Sequence, residues 1–477
     1  MRTPAFGKVP RGMLAVAALC AAACCTAAQT PSANAARGFE TGLYEPDYTS
    51  GDLATQSLAF ERSAEARARF ALIFVSWAGV APPTKPLGFV PSNPVDPSYD
   101  WGAIDAAVRD ANARGLTPLM AVTRAPSWAE GPGRPPSGQA PAGTWKPDPG
   151  EVGAFARAIA SRYSGALPGL PAVRHWQLWA EPNLGVNLTP QFDGKRAVGF
   201  DVYRPMLSAF YANVKAVSSQ NRVLTGGTAP YGNLTPAGGL TFQRMQPLDF
   251  WRGLLCLRQK KRKKGRGGRK LVRVAGCNPP RFGIAAHHPI NVGAPTRHAL
   301  NADDASTPDI GKVRRVIRAG VGNKPIWATE IWWNSNPPSK GVPLKTHARY
   351  LAQSFYVLWK QRVPVAVWFE VRDQQTNGVD PIPTSGLFLR DGTPKPALRA
   401  FQFPLVGERL SRTRVRVWGL APTAGKVQIG TRRGAFNRLR ALKAGANRVF
   451  VGTVRLRHGA RLQAKQGAEA SLVWRQR

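Results

Sequence analysis

A short unit recurs along most of this chain: an apolar run, a turn rich in Gly, Pro or Trp, and then a stretch with apolar residues at helical spacing. Such alternation predicts a parallel sheet covered by helices. The predicted strands are Gly42–Tyr44, Phe70–Val75, Thr117–Val122, His175–Trp179, Arg222–Gly226, Phe282–Ala286, Pro325–Thr329 and Val365–Phe369. The clearest predicted helices are Ile104–Arg114, Val152–Tyr163, Val202–Ser218, Ile310–Ala319 and Thr346–Lys360.

Eight strands over about 330 residues match an α/β fold of the (β/α)8 type, a TIM barrel with insertions. An open doubly wound sheet is the alternative, but no Gly-rich nucleotide fingerprint follows the first strand. Trp, Pro, Glu and His residues cluster directly after the predicted strands, at the edge where a barrel builds its active site. The barrel is therefore the predicted fold.

The N-terminus has the pattern of an export signal. Arg2, Lys8 and Arg11 precede an apolar run, and Ala33-Asn34-Ala35 offers a small-residue cleavage site. We expect residues 1–35 to be a signal peptide and the mature protein to be secreted. A retained anchor or a lipid on Cys24 is the alternative. No later stretch is long and apolar enough to predict a membrane span, so we expect no transmembrane segment in the mature chain.

The composition changes near Pro404, which places the barrel domain at 36–404. Residues 405–477 contain 17 Arg and Lys but two acidic residues, in short alternating runs punctuated by Gly and Asn. This pattern predicts a small C-terminal antiparallel β domain, sandwich-like in form. Such a basic domain either binds carbohydrate or the cell surface, or it only packs against the barrel.

Cys256 and Cys277 are the two cysteines of the expected mature chain, and in an oxidising compartment they are expected to form a disulfide. A zinc site is not expected, because two further ligands at suitable spacing are missing. The residues between these cysteines include ten basic and no acidic ones, which predicts a solvated loop over 256–277.

The formal charge of the whole chain is +39. Contact of the basic loop and the C-terminal domain with an anionic glycan or the cell envelope fits export, and a solvated loop without a partner fits equally well. Export and the absence of a nucleic-acid-binding motif argue against a nucleic-acid partner. We expect a monomer.

Two glutamates follow short Trp-rich apolar runs, Glu181 in Gln-Leu-Trp-Ala-Glu-Pro-Asn and Glu330 in Ile-Trp-Ala-Thr-Glu-Ile-Trp-Trp-Asn. A carboxylate at the end of a buried strand is costly unless it is paired or used in chemistry. Two of them beside tryptophans suited to sugar stacking indicate glycoside hydrolysis by paired carboxylates. Taken singly, Glu181 could be a helix-entry residue and Glu330 a salt-bridged strand end.

Residues 38–403 resemble the clan A glycoside hydrolases, closest in texture to families 39 and 5. Trp179-Ala180-Glu181-Pro182-Asn183 is similar to the strand-four motif of that clan, and Trp327-Ala328-Thr329-Glu330 to its strand-seven end. The resemblance implies a retaining mechanism on a poly- or oligosaccharide, with Glu181 as acid/base and Glu330 as nucleophile. It implies no metal or organic cofactor.

The resemblance also suggests substrate-binding residues. His288 lies in a motif like the clan's His-Pro-Tyr, with Ile290 in place of the Tyr, and Trp368 matches a sugar-stacking platform. Asn183 is expected to position Glu181 or to contact a hydroxyl. Trp128, Trp332 and Trp333 are candidates for further subsites.

Ala180 departs from the clan pattern, in which an Asn binds the sugar 2-hydroxyl. Losing that contact removes transition-state stabilisation unless another residue replaces it. A non-catalytic carbohydrate- or envelope-binding protein on a degenerate barrel is therefore the alternative function.

Overall fold

The computed structural model describes residues 35–36, 38–136, 138–236, 238–261, 269–336, 341–374 and 384–475. The predicted signal peptide lies outside the described residues except for Ala35. Among the described residues, no helix has both the length and the apolarity that crossing a membrane requires.

Eight parallel strands form the barrel. They are β1 Glu40–Tyr44, β2 Phe70–Ser76, β3 Thr117–Thr123, β4 His175–Leu178, β5 Arg222–Leu224, β6 Ala285–His287, β7 Ile326–Ile331 and β8 Val365–Phe369. Hydrogen bonds link them in the order β6-β7-β8-β1-β2-β3-β4-β5. Parallel bridges Leu224↔Ile284 and Thr228↔His287 close the ring between β5 and β6. The predicted fold and all eight strands are confirmed, with strand ends shifted by a few residues.

Helices surround the barrel. They are α1 Leu53–Glu65, α2 Trp77–Val80, α3 Gly102–Ala113, α4 Pro149–Arg162, α5 Gly199–Val217, α6 Pro247–Leu254, α7 Ile310–Val321, α8 Leu344–Lys360 and α9 Pro396–Gln402. Short 3-10 turns lie at Pro46–Thr49, Ser127–Ala129, Leu240–Phe242 and Thr307–Asp309. The five predicted helices appear within three residues of their expected bounds.

Side chains alternate between two apolar layers because successive strand residues point to opposite faces. Leu72 and Val367 lie in the barrel interior, whereas Ile73 and Trp368 pack outward in the layer shared with the helices. This alternation decides which residues of a strand end reach the active-site edge.

Two antiparallel sheets form the C-terminal domain. One contains β9 Leu405–Arg409, β10 Arg414–Leu420 and β13 Val449–Arg455, and the other contains β11 Gly425–Arg433, β12 Ala435–Ala444, β14 Arg461–Gln466, β15 Glu469–Ala470 and β16 Trp474–Arg475. Trp418 of β10 is fully buried against Tyr356 and Trp359 of α8, with ring centroids 5.6 and 5.8 Å apart. The predicted β domain is confirmed, and its core is continuous with the outer layer of the barrel.

The segment between the two cysteines is not a simple loop. Leu257–Lys261 and Arg269–Arg273 pair as the antiparallel arms of a hairpin, and residues 262–268 lie outside the described residues. The predicted disulfide Cys256–Cys277 is present at its base. Arg273 donates to the carbonyl of Gly320, which ties one arm of the hairpin to α7.

Candidate active site

The end of β4 turns sharply to expose Glu181. Trp179 has φ 69° and Glu181 φ 44°, a left-handed conformation that costs non-glycine residues about 1 kcal/mol or more each. The surroundings fix this turn: the Glu181 amide donates to the Gly227 carbonyl at 2.8 Å, and the Trp179 indole donates to the Asn187 carbonyl. Strain of this kind concentrates at functional sites.

Glu330 lies on β7, within an irregularity of the strand pairing. The register between β7 and β8 shifts between Ala328 and Ile331, and such a bulge re-aims the side chains beside it. The indole Nε1 of Trp332 donates to Glu330 Oε1 at 3.0 Å. Trp332 therefore contacts Glu330, and its role in binding substrate stays a prediction.

His288 joins the two carboxyl groups. Its Nδ1 lies 3.1 Å from Glu181 Oε1 and 3.7 Å from Glu330 Oε2, and its side chain is fully buried. The closest ligand-type atoms of the three residues all lie within 4.8 Å of one another. The structure thus brings together three of the predicted site residues from β4, β7 and the end of β6.

Gly227 provides the space that His288 occupies. A Cβ at this position would overlap the His288 ring and crowd Thr329 Oγ1, so a side chain here would displace the imidazole. His288 Nε2 has no hydrogen-bond partner among the described residues. The proton of a neutral imidazole is therefore assigned to Nδ1, where it can be donated to Glu181.

The pKa values of Glu330 and His288 depend on burial and on the charged groups beside them. Burial raises the pKa of Glu330, and the Glu181 carboxylate raises it further, against the opposing effect of His288. Burial alone would lower the pKa of His288, but Glu330 and Glu181 together raise it. Burial and the neighbouring carboxylate thus both favour the protonated form of Glu330, and the two carboxylates favour the protonated form of His288. The pKa direction of Glu330 opposes the expectation that it is the ionised partner of the pair in the unliganded site.

These three residues are also of metal-ligand type. A carboxylate–imidazole–carboxylate set can hold a divalent cation. It equally suits proton transfer, because His288 lies within hydrogen-bond distance of Glu181.

Asn183 does not face a substrate. It is fully buried, its side-chain amide donates to the carbonyls of Ala229 and Met245, and its Oδ1 accepts from the Ala229 amide. The expected contact with a sugar hydroxyl is wrong, because all its polar atoms are used inside the protein. The other expectation, that Asn183 positions Glu181, fits these bonds, because they hold the turn that carries Glu181.

Trp368 is also not a stacking platform. It points outward from β8 and is fully buried, with its ring stacked on Trp333 at 6.0 Å and its indole donating to Ser385. Strand alternation explains the error, since the next residue, Phe369, lies on the other face of the strand. Trp333 is buried as well, so it does not line an open subsite.

Trp128 is partly buried. Its indole donates to the Pro82 carbonyl, and its ring packs edge-on to Trp77 and Phe89, with Lys85 Nζ 5.2 Å from the ring centroid. Its role as a subsite residue stays a prediction.

A row of aromatic rings that was not predicted from the sequence extends from Trp332, beside Glu330. The ring centroid of Phe369 lies 6.4 Å from that of Trp332 and 5.1 Å from that of Tyr44. The centroids of Tyr44 and Phe74 are 4.6 Å apart. The row leads to a cavity of about 340 Å³ at the ends of the first three strands, where Ser76 and Thr123 add hydroxyl groups. Both Tyr44 and Phe369 are the last residues of predicted strands, and this position could have marked them as candidates for the active-site edge.

Two further glutamates follow strands at the same edge. Glu45 comes directly after β1 and Glu370 directly after β8, and both are buried. Burial raises the pKa of Glu45 to about 7, and burial together with Glu45 raises that of Glu370 to about 10. Glu45 Oε2 accepts from the amides of Val371 and Arg372, which fixes the turn after β8.

Solved structures resemble this chain, whereas comparison of its sequence with known families and proteins finds no match. No family model and no curated protein matches this chain. A family 39 glycoside hydrolase from the gut symbiont Bacteroides cellulosilyticus is similar in structure, with TM-score 0.53 and 15% identity, covering 87% of this chain and 81% of that one.

Two further solved structures are similar to the same degree. A glucosidase from Croceicoccus marinus has TM-score 0.51 at 14% identity, covering 90% of this chain and 95% of that one. A monomeric β-xylosidase from Caulobacter crescentus has TM-score 0.50 at 15% identity, covering 88% and 94%. At these identities the similarity establishes the fold, and the chain therefore shares its barrel architecture with enzymes that hydrolyse glycosides.

Proposed function

We propose that this protein is a secreted retaining glycoside hydrolase that cleaves O-glycosidic bonds of a poly- or oligosaccharide. The observation that carries the proposal is the approach of Glu181 and Glu330, whose nearest carboxyl oxygens lie within 4.8 Å across His288. Retaining enzymes place their carboxyl groups about 5–5.5 Å apart, whereas inverting enzymes need about 6.5–9.5 Å to admit a water. The fold shared with glycosidases supports the same chemistry.

In this proposal Glu181 protonates the leaving oxygen while Glu330 attacks the anomeric carbon. The covalent glycosyl-enzyme is then hydrolysed by a water that Glu181 deprotonates. His288 acts as a positioning residue, because its Nδ1 lies beside both carboxyl groups. The proposal requires the proton to lie on Glu181 and Glu330 to be ionised when substrate is bound.

Azide rescue tests the assignment of the two roles. With an activated aryl β-glycoside, Glu181→Ala should yield a glycosyl azide of retained configuration, since the nucleophile is intact. Glu330→Ala should yield the inverted azide, since azide then attacks the substrate directly. The opposite pattern of products would reverse the roles, and no rescue in either variant would contradict double displacement.

Metal dependence and secretion are tested separately. Chelation with EDTA should leave turnover unchanged, and a loss restored by Zn²⁺ would instead make the three-residue cluster a metal centre. Cleavage after Ala35 should appear in N-terminal sequencing of protein from the culture medium. Recovery of the uncleaved chain in the membrane fraction would favour a retained anchor.

One observation favours a second candidate, a non-catalytic sugar-binding protein. Ala180 offers no side-chain donor, and Asn183 cannot replace it because it is buried and satisfied. Oligosaccharide binding to the parent protein without turnover of any aryl glycoside would favour this candidate.

A further inference from the structure

The outer face of the larger C-terminal sheet is basic. On β11, Lys426, Gln428 and Arg432 alternate with the buried Val427 and Ile429 and so point away from the core. Cross-strand pairing adds three more basic residues to this face, since Lys443 pairs with Lys426, Arg438 with Gly430 and Lys465 with Gln428. We call Lys426, Arg432, Arg438, Lys443 and Lys465 the basic sheet face.

The domain's two acidic residues do not offset this charge. Glu408 accepts from Lys360 of α8 at 2.5 Å, and Glu469 pairs with Arg67 and Arg399 of the barrel. Both acids are thus used where the domain meets the barrel. Among the ion pairs of the described residues, none includes a member of the basic sheet face.

An aromatic ring lies within this positive surface. Phe436 pairs with Arg432, and its ring covers Gly430, where a Cβ would come within 2.7 Å of the ring. Lys465 Nζ lies 4.8 Å from the Phe436 centroid. Phe436 is only partly buried, so part of its surface is accessible.

The dimensions suit an extended polymer. Lys426 and Arg432 lie six positions apart on β11, a distance of about 20 Å in a strand, and each cross-strand neighbour lies about 5 Å away. Cations at this spacing can each meet one charge of a polymer that carries an anion on every repeating unit. A small anion would contact one or two of them.

We propose that the basic sheet face binds a carboxylated polysaccharide. A uronic acid carries its carboxylate directly on the sugar ring, so a ring that packs on Phe436 places its charge beside Lys465. Gln428 is exposed two positions after Lys426 on β11, and its amide can form hydrogen bonds with the hydroxyl groups of a uronate polymer. This binding does not depend on catalysis by the barrel.

The test is a titration of the full chain with polygalacturonate at low ionic strength, by calorimetry. The triple variant Lys426→Ser, Arg438→Ser, Lys443→Ser should weaken binding by about tenfold or more, since each cation near an anionic surface contributes on the order of 1 kcal/mol before screening. The control variant Arg157→Ser, Arg315→Ser, Lys345→Ser removes three exposed positive charges from the barrel and should bind like the parent. An equal loss in both variants, or no loss in the first, would overturn the proposal.

Phe436→Leu separates sugar recognition from general polyanion binding. It should weaken polygalacturonate binding several-fold and leave binding to duplex DNA and to phosphatidylserine vesicles unchanged. Equal affinity for all three polyanions, with no effect of Phe436→Leu, would make the face a nonspecific electrostatic surface and would overturn the polysaccharide assignment. Turnover of aryl glycosides is measured on the same samples. Its absence would contradict the proposed hydrolase and leave the binding result standing.

Discussion

The active-site edge of the barrel and the outer sheet of the C-terminal domain have opposite character within one chain. The edge gathers four glutamates, Glu45, Glu181, Glu330 and Glu370, out of only 27 acidic residues in the sequence. They are mostly buried, and they are hydrogen-bonded or lie beside other titratable groups. The basic sheet face instead exposes cations that make few internal contacts.

The difference shows that a net charge of +39 says little about the chemistry of any one site. Surface cations can vary without disturbing the fold, because solvent screens them. A buried carboxyl group needs specific partners, so its presence indicates a defined role. The basic composition therefore describes the surface, and the buried acids are the better guide to candidate functional residues.

The largest effect that separates the two regions is expected from Glu330→Gln and Glu181→Gln. Each should lower kcat/KM by about 10³-fold or more, because it removes a group that acts only in the transition state. Binding of polygalacturonate to the basic sheet face should not change. Stopped assays with aryl glycosides and the calorimetric titration measure both. Activity within tenfold of the parent in either variant would remove that glutamate from the mechanism.

The sequence predicted the barrel because its signals are local and repeated. Each apolar run and each helical stretch can be recognised alone, and eight of them leave few alternative folds. Glu181 and Glu330 were predictable for the same reason, since each ends a recognisable strand. Their approach through His288 follows from closure of the ring, which brings distant strand ends to one edge.

Asn183 and Trp368 show what the sequence could not decide. Each lies close in sequence to a candidate site residue, but the direction of its side chain depends on strand phase and on the left-handed turn after β4. Tyr44, Phe369 and Glu370 were passed over because a residue at a strand end looks the same whether it faces the core or the cavity. Only the three-dimensional arrangement separates the two cases.

Ala180→Asn tests whether the active-site edge lacks a contact. The side chain is partly exposed beside Glu181, so an amide there can reach a sugar hydroxyl at the catalytic pair. We expect kcat/KM for a 2-hydroxy aryl glycoside to rise by about tenfold or more, because transition-state hydrogen bonds of this kind contribute several kcal/mol. The 2-deoxy substrate is the control and should not respond. An equal rise for both substrates would show that the gain does not come from that hydroxyl.

Substrate charge should distinguish the active-site edge from the basic sheet face. Glu45 lines the cavity beyond Tyr44, and its pKa of about 7 means that it becomes negative as pH rises through neutrality. The kcat/KM for an aryl glucuronide should therefore be about tenfold lower than that for the matching glucoside at pH 8. The difference should be smaller at pH 6. The ratio of kcat/KM values across this pH range measures the effect. Glu45→Gln is the matched control and should flatten the pH dependence, whereas a preference for the glucuronide would show that the edge does not repel anions.

The smallest expected effects concern stability and have opposite signs in the two regions. Glu370 has a raised pKa, so its contribution to the free energy of unfolding is present at low pH and is lost as pH rises toward about 10. Glu370→Gln should therefore gain a few degrees in Tm relative to the parent between pH 5 and pH 9, and Gln keeps the bond from Gln374.

Glu408, at the contact between the β domain and α8, provides the opposite case. Burial alone would raise its pKa, but Lys360, Tyr356 and Arg416 together lower it. Its contribution is therefore present above the ordinary carboxyl pKa and disappears as pH falls through the lowered value. Glu408→Gln should lower Tm by about 1–3 °C at pH 7 and by less at pH 3, since a partly exposed pair contributes on the order of 1 kcal/mol or less. Differential scanning calorimetry over this pH range measures both variants, and shifts of the same sign would show that the acids of the two regions do not differ in the way their burial indicates.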